Sequence, residues 1–239
     1  MVIKIASSIL SADFAKLGEE IKKISSLNID YIHIDVMDGN FVPNITIGPG
    51  VVSAMRKYCN LPFDVHLMIK SPSNHIESFV NAGADIITIH AEAEIHIEKL
   101  IKKIRSYKNI NDIDKTMQVG VSIIPSTSPS VLDYIMHELD IVLIMAVTPG
   151  FEGQEFIRSQ LRKVSIVKKM IKERNLKTKI SVDGGVNVQN AVEIIKAGAD
   201  ILVAGSAIFR AKDMEKAVKK LKNPYSYSFP KVSTIENEK

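Results

Sequence analysis

Short apolar runs rich in β-branched residues recur along the chain, each followed by a stretch whose apolar positions return every three or four residues. The runs are IKIASSI (3–9), YIHIDV (31–36), FDVHLM (63–68), DIITIH (85–90), MQVGVSI (117–123), DIVLIM (140–145), KISVD (179–183) and DILVAG (200–205). Their starts lie about 20 to 40 positions apart, room for one helix and two loops per unit. Between them, Phe14, Leu17, Ile21 and Ile24 alternate with Lys and Glu, and Ile97, Leu100, Ile101 and Ile104 form one stripe in the segment from Ile95. Such spacing predicts helices with a single apolar face. The tetrapeptide AGAD at 82–85 and again at 197–200 places glycine at a helix C-terminus leading directly into a strand.

Strands alternating with helices predict a parallel sheet. Eight units leave a closed barrel or an open doubly wound sheet. The first strand runs into SSILSAD without the glycine fingerprint of an open nucleotide-binding sheet. Polar residues instead gather at the C-terminal ends of many strands, where a barrel builds its active site. The expected fold is α/β, a single (β/α)8 TIM barrel over residues 1–222. Residues 223–239 lose the periodicity and read as an extended or partly ordered tail.

Composition narrows the class. The 239 residues are 46% hydrophobic and 24% charged, enough for one large core of barrel size. The net charge of +4 is spread through helical stretches, which suits an anionic metabolite and argues against nucleic acid. A single cysteine, Cys59, excludes an internal disulfide and fits a reducing compartment. No apolar run has the length of a membrane span, and MVIKIASSIL lacks the apolar core of a signal peptide. A cytoplasmic protein with no membrane partner is expected.

Four side chains stand out at one rim. His33 and Asp35, two apart on the second strand, project to the same side. His66 comes from the third strand and Asp183 ends the seventh. Taken singly, a strand histidine is more often structural and an aspartate after a strand more often a helix cap. Together they suit one divalent ion, zinc, iron, cobalt or manganese, with positions left for substrate oxygens. Asp38 reads as a turn residue, while His75, His96 and His137 lie in helical or loop contexts. His90, ending the fourth strand, is a candidate for substrate or supporting contact.

Glycine forms a second constellation. TPGFEGQ (148–154), DGGV (183–186) and AGSAIF (204–209) follow strands six, seven and eight. Backbone N–H groups in such loops cradle a phosphate without Lys or Arg, and the last two loops are a barrel's customary phosphate site. Met37, Met68 and Met145, all at strand ends, read either as core filling or as an apolar wall over the reacting carbons.

In combination, SILSADF, HIDVMDGNFVPN, DVHLMI, TPGFEGQ, SVDGGV and AGSAIF resemble ribulose-phosphate 3-epimerase over residues 3–222. The resemblance implies interconversion of D-ribulose 5-phosphate and D-xylulose 5-phosphate in the pentose phosphate pathway, on a barrel with one divalent metal ion per chain. It implies His33, Asp35, His66 and Asp183 as metal ligands, with Asp35 and Asp183 the catalytic pair that exchanges the C3 proton through a metal-stabilised enediolate. Ser8, His66, Gly150, Phe151, Glu152, Gly153, Asp183, Gly184, Gly185, Gly205 and Ser206 match substrate-contacting positions. A homo-oligomer, dimer or hexamer, is also implied. Two positions depart from the family pattern, Ser7 in place of a proline and Glu152 in place of the central glycine of PGFGGQ. The Glu152 side chain is expected to point outward while its backbone still donates. A six-carbon ketose phosphate such as allulose 6-phosphate is the nearest alternative substrate. A metal-free phosphate-barrel isomerase or lyase and an inactive sugar-phosphate binder are the more distant alternatives.

Overall fold

The computed structural model describes residues 2–226. Eight parallel strands close into a barrel: β1 (Lys4–Ser8), β2 (Tyr31–Met37), β3 (Phe63–Met68), β4 (Ile86–His90), β5 (Gln118–Ile123), β6 (Ile141–Met145), β7 (Lys179–Asp183) and β8 (Ile201–Ala204), with β8 pairing back onto β1. Each strand lies within the apolar run read for it, except that β2 extends one residue further, to Met37. Alternation along each strand separates two apolar layers. Ala6, Tyr31, Ile86, Ile141, Leu143, Ile201 and Val203 fill the barrel interior, while Ile5, Ile32, Val65, Ile87 and Val142 pack outward against the helices.

The helices bury the predicted stripes: Leu17, Ile21 and Ile24 in Leu17–Ser25, and Leu100, Ile101 and Ile104 in Ile97–Ser106. Two boundaries differ from the sequence reading. Phe14 sits in a separate 3-10 turn, Phe14–Lys16, capped by Asp13 and broken by the non-helical Lys16, so it stays exposed. Ile95 precedes its helix and is exposed as well. The crossover after β5 holds only 3-10 turns, Pro129–Leu132 and Met136–Glu138, and a short hairpin, Lys108–Asn109 with Asp112–Thr116, precedes β5. Of the segment read as a tail, Pro224–Ser226 forms a 3-10 turn and residues 227–239 lie outside the described residues.

At the N-terminal end of the barrel one device recurs four times. The residues just before β2, β4, β6 and β8 are Asp30, Asp85, Asp140 and Asp200. Their carboxylates accept the backbone N–H of Ile5, Phe63, Val119 and Ile180 on the preceding strand at 2.8, 2.8, 2.8 and 2.9 Å. A helix cation then pairs with each, Lys222, Arg56, Arg105 and Lys168 in turn, at 2.8–3.0 Å. Each carboxylate thus stitches an odd strand to the next even one, and the cation ties that pair to the pair before it. Lys222, at the end of the last helix, Met214–Lys222, completes the ring on Asp30.

Candidate active site

At the opposite end, strand register converges the polar side chains. Asp35 lies opposite His66, and His33 opposite Asp64, across the β2–β3 pair. Ser8 lies opposite His33 on β1. His33, Asp35, His66 and Asp183 each present one donor atom, all within 4.8 Å of one another, and the first three are buried. Asp35 Oδ1 is 3.1 Å from His66 Nδ1 and 3.4 Å from His33 Nε2, and Asp183 Oδ2 is 3.9 Å from His33 Nε2. Asp35 is oriented from its other oxygen, which accepts from Ser8 Oγ at 2.7 Å.

The histidines are fixed from behind. His33 Nδ1 meets Asp64 Oδ2 at 2.9 Å, and Asp64 Oδ1 accepts from Thr88 Oγ1 at 3.0 Å. That leaves His33 Nε2 buried without a hydrogen-bond partner and aimed at the cluster. His66 Nε2 lies 2.8 Å from His90 Nε2, and His90 Nδ1 lies 3.2 Å from Glu92 Oε2. With Glu92 accepting, His90 carries its proton on Nδ1, so His66 must donate from Nε2 and present a bare Nδ1 to the cluster. Glu92 is anchored in turn by the Ile124 N–H at 3.0 Å and the Thr127 hydroxyl. An orphaned nitrogen, a bare second nitrogen and two converging carboxylates fit a divalent cation.

Electrostatics separate the two aspartates. Burial works against charge on Asp35, but the neighbouring His33 charge overcomes it and holds the carboxyl well below the ordinary range. Burial raises Asp183 to about 7, and the nearby Asp35 charge pushes the same way. One carboxylate stays ionised while the other keeps a proton near neutrality, the pattern of a base and an acid in one site. Burial opposes charge on His33, yet Asp35 and Asp64 carry its pKa well above 6.5, whereas burial brings His66 down to about 4.

A cavity opens above the cluster. Ser8, Asp35, Met37, Met68, Met145 and Asp183 line its floor. Gly150, Phe151, Glu152, Gly153, Gly184, Gly185, Gly205 and Ser206 line the side formed by the loops after β6, β7 and β8. Gly185 is required there: its φ is +63°, and a Cβ would lie 2.5 Å from the Phe156 backbone nitrogen. Glu152 carries no backbone strain, since Ser71 and Asn175 are the positive-φ residues other than glycine among those described. Its side chain is exposed. It runs along the rim, accepting from Ser11 Oγ at 2.5 Å and pairing with Arg210.

The structure therefore brings together every rim residue singled out in the sequence. Asp38 behaves as the turn residue expected, accepting from the backbone N–H groups of Asn40, Phe41 and Lys70. Sequence reasoning missed Asp64, Thr88 and Glu92. Spacing offered a signal for two of them, since Asp64 precedes His66 by two and Glu92 follows His90 by two. Ser7, on the outer side of β1, is buried with its hydroxyl unpartnered.

Residues 4–209 match the model of the ribulose-phosphate 3 epimerase family. The chain is 48% identical over 222 residues to "Ribulose-phosphate 3-epimerase" of Bacillus subtilis (strain 168), covering 92% of this chain and 99% of that one. It is also 48% identical to "Ribulose-5-phosphate-3-epimerase, chloroplastic" of Arabidopsis thaliana, over 92% of this chain and 76% of that protein. Identity to the Escherichia coli (strain K12) enzyme of the same name as the Bacillus protein is 44%, over 92% and 94% of the two chains. Among solved structures, KGPDC from Streptococcus mutans superposes with a TM-score of 0.66 at 16% identity, covering 95% and 98% of the chains. A 3-hexulose-6-phosphate synthase from Salmonella typhimurium gives 0.64 at 20% identity, covering 94% and 98%. At those identities the structural likeness speaks for the fold alone. No helix among the described residues is long and apolar enough to cross a membrane.

Proposed function

Because the chain belongs to the ribulose-phosphate 3-epimerase family, we propose that it interconverts D-ribulose 5-phosphate and D-xylulose 5-phosphate at C3, with Asp35 and Asp183 carrying the proton on opposite faces of the sugar. The observation that carries this reading is the pair of carboxylates with opposed protonation preferences at the floor of one cavity. Epimerisation next to a ketone removes the C3 proton from one face and returns one to the other. Asp35, held ionised, suits the acceptor, and Asp183, protonated near neutrality, suits the donor. In the reverse direction the roles exchange. His33, Asp35, His66 and Asp183 would hold a divalent ion, which would supply Lewis-acid stabilisation of the negative charge developing on the sugar.

The remaining residues bind and enclose. Met37, Met68 and Met145 present an apolar, polarisable surface beside the carboxylates, which keeps water from the reacting carbon. The glycine loops after β6, β7 and β8 offer backbone N–H groups to the phosphate, and Ser206 adds a hydroxyl. Ser8 fixes Asp35 through its hydrogen bond. A six-carbon ketose phosphate draws no support from the names of the relatives, and kcat/KM measured on both sugars ranks the two substrates.

The test is solvent exchange. In D2O, turnover should place deuterium at C3, and complete retention of the substrate hydrogen would refute the two-carboxylate route. Asp183→Asn should lower kcat by about 10²-fold or more, the usual scale for a lost acid–base group. Activity within a few-fold of wild type would remove Asp183 from the role.

A further inference from the structure

Glu152 is among the residues lining the cavity where the phosphate reading requires a dianion to sit, which sets its carboxylate beside that site. Two glycines in left-handed conformations flank it, Gly150 at φ +125° and Gly153 at φ +76°, so the loop bends at its glycines and spares the glutamate. The carboxylate reaches two other segments of the rim. Oε2 accepts from Ser11 Oγ at 2.5 Å, in the turn after β1. Oε1 pairs with the Arg210 guanidinium, just past the turn of helix at Ser206–Phe209. Ser11 itself lies over Gly205, where a Cβ would come within 2.8 Å of its hydroxyl. Glu152 lines the cavity and is the less exposed partner, at 36% against 63% for Arg210.

We infer that Arg210 is a positioning residue for substrate binding, which clasps Glu152 onto Ser11 so that the phosphate loop meets the substrate with a paired carboxylate. The inference rests on the phosphate-cradle reading of the loops after β6, β7 and β8. An exposed ion pair contributes little to folding stability, so the effect belongs to ligand affinity. Without Arg210 the carboxylate is both unneutralised and released from Ser11, free to face the incoming dianion. Both consequences weaken phosphate binding and leave the proton-transferring groups untouched. Lysine restores the charge without the planar fork that meets a carboxylate side-on, so Arg210→Lys retains part of the function.

The experiment measures kcat and KM for the metal-loaded enzyme, with inorganic phosphate as competitive inhibitor, in wild type, Arg210→Met, Arg210→Lys and the double variant Arg210→Met/Glu152→Ala. Arg210→Met should raise both KM and the phosphate Ki about five-fold or more, with the change confined to KM and shrinking as salt screens the bare charge. Arg210→Lys should fall between Arg210→Met and wild type. The double variant should recover most of the loss, because the carboxylate that needed neutralising is gone. A merely structural arginine would show no such recovery. Unchanged KM and Ki in Arg210→Met, or a loss that persists in the double variant, would overturn the inference while the cradle reading stands. Inorganic phosphate that fails to compete in wild type would remove the cradle reading and the inference together.

Discussion

Asp183 sits where burial and a neighbouring charge both favour its protonated form, and this has a measurable sign. Its folded pKa of about 7 lies above the ordinary 3.8. Its contribution to stability is therefore fully present below 3.8 and is lost as pH rises from there through about 7. Asp183→Asn removes that dependence. In the metal-free protein, the substitution should gain about 1 to 3 kcal/mol of stability relative to wild type between about pH 5 and about pH 8. Denaturant titrations at the two pH values check this, and a difference that does not change with pH would contradict it. Glu92 gives the second prediction at this scale. Burial disfavours its charge, but His90, Thr127 and the Ile124 N–H hold it down at about 2. Glu92→Gln weakens the acceptor that sets the tautomers of His90 and His66, and should loosen divalent-metal affinity about 10- to 100-fold. Competition with a chromophoric chelator measures that directly, and unchanged affinity would detach Glu92 from the site. The four donor residues were legible in the sequence because strand alternation places His33 beside Asp35 and strand order places the rest at one rim. The supports behind them depend on which strands touch. The partners of Glu152 lie 141 and 58 positions away, beyond any local pattern.

Strands were the most legible elements, since a run of β-branched residues bounded by polar ones leaves few alternatives to a buried parallel strand. Crossovers were less so. The segment after β5 carries Pro125 and Pro129, and proline disfavours helical geometry in the residue before it. The hairpin at Lys108–Thr116 is mostly exposed and polar, so no alternation announces it. Glycine at one strand position has an element-scale role. A Cβ on Gly120 of β5 would come within 2.3 Å of Thr88 Oγ1, the hydroxyl that orients Asp64. The aspartates before the even strands give the prediction here. Asp200→Asn keeps the shape but removes the charge that both the Ile180 N–H and Lys168 meet. It should cost about 1 to 3 kcal/mol, the range for a charge-assisted hydrogen bond with a partly exposed partner, without affecting kcat. Thermal unfolding and steady-state rates together test this, and a loss of kcat with unchanged Tm would reverse the assignment.

Across the whole molecule, chemistry and cohesion occupy opposite ends of the barrel. The loops at the C-terminal ends of the strands carry the glycines, the cluster and the clasp, while the other end carries the four stitches. This division lets the reactive end hold buried charge and an orphaned imidazole nitrogen without loosening the sheet. A helix cation reinforces each junction between one strand pair and the next, and the link from Lys222 to Asp30 follows the same pattern as the other three. The barrel is therefore cyclic in its bonding, with no privileged first strand. A permuted chain that joins the two present ends by a flexible linker and opens at the hairpin tip, between Ile110 and Asn111, should fold to the same barrel and retain most of its kcat. One opened between Asp140 and Ile141 would part a stitch from its strand and should fold far less stably. The polypeptide is in this sense a necklace of four beads whose clasp happens to fall between the last helix and the second strand.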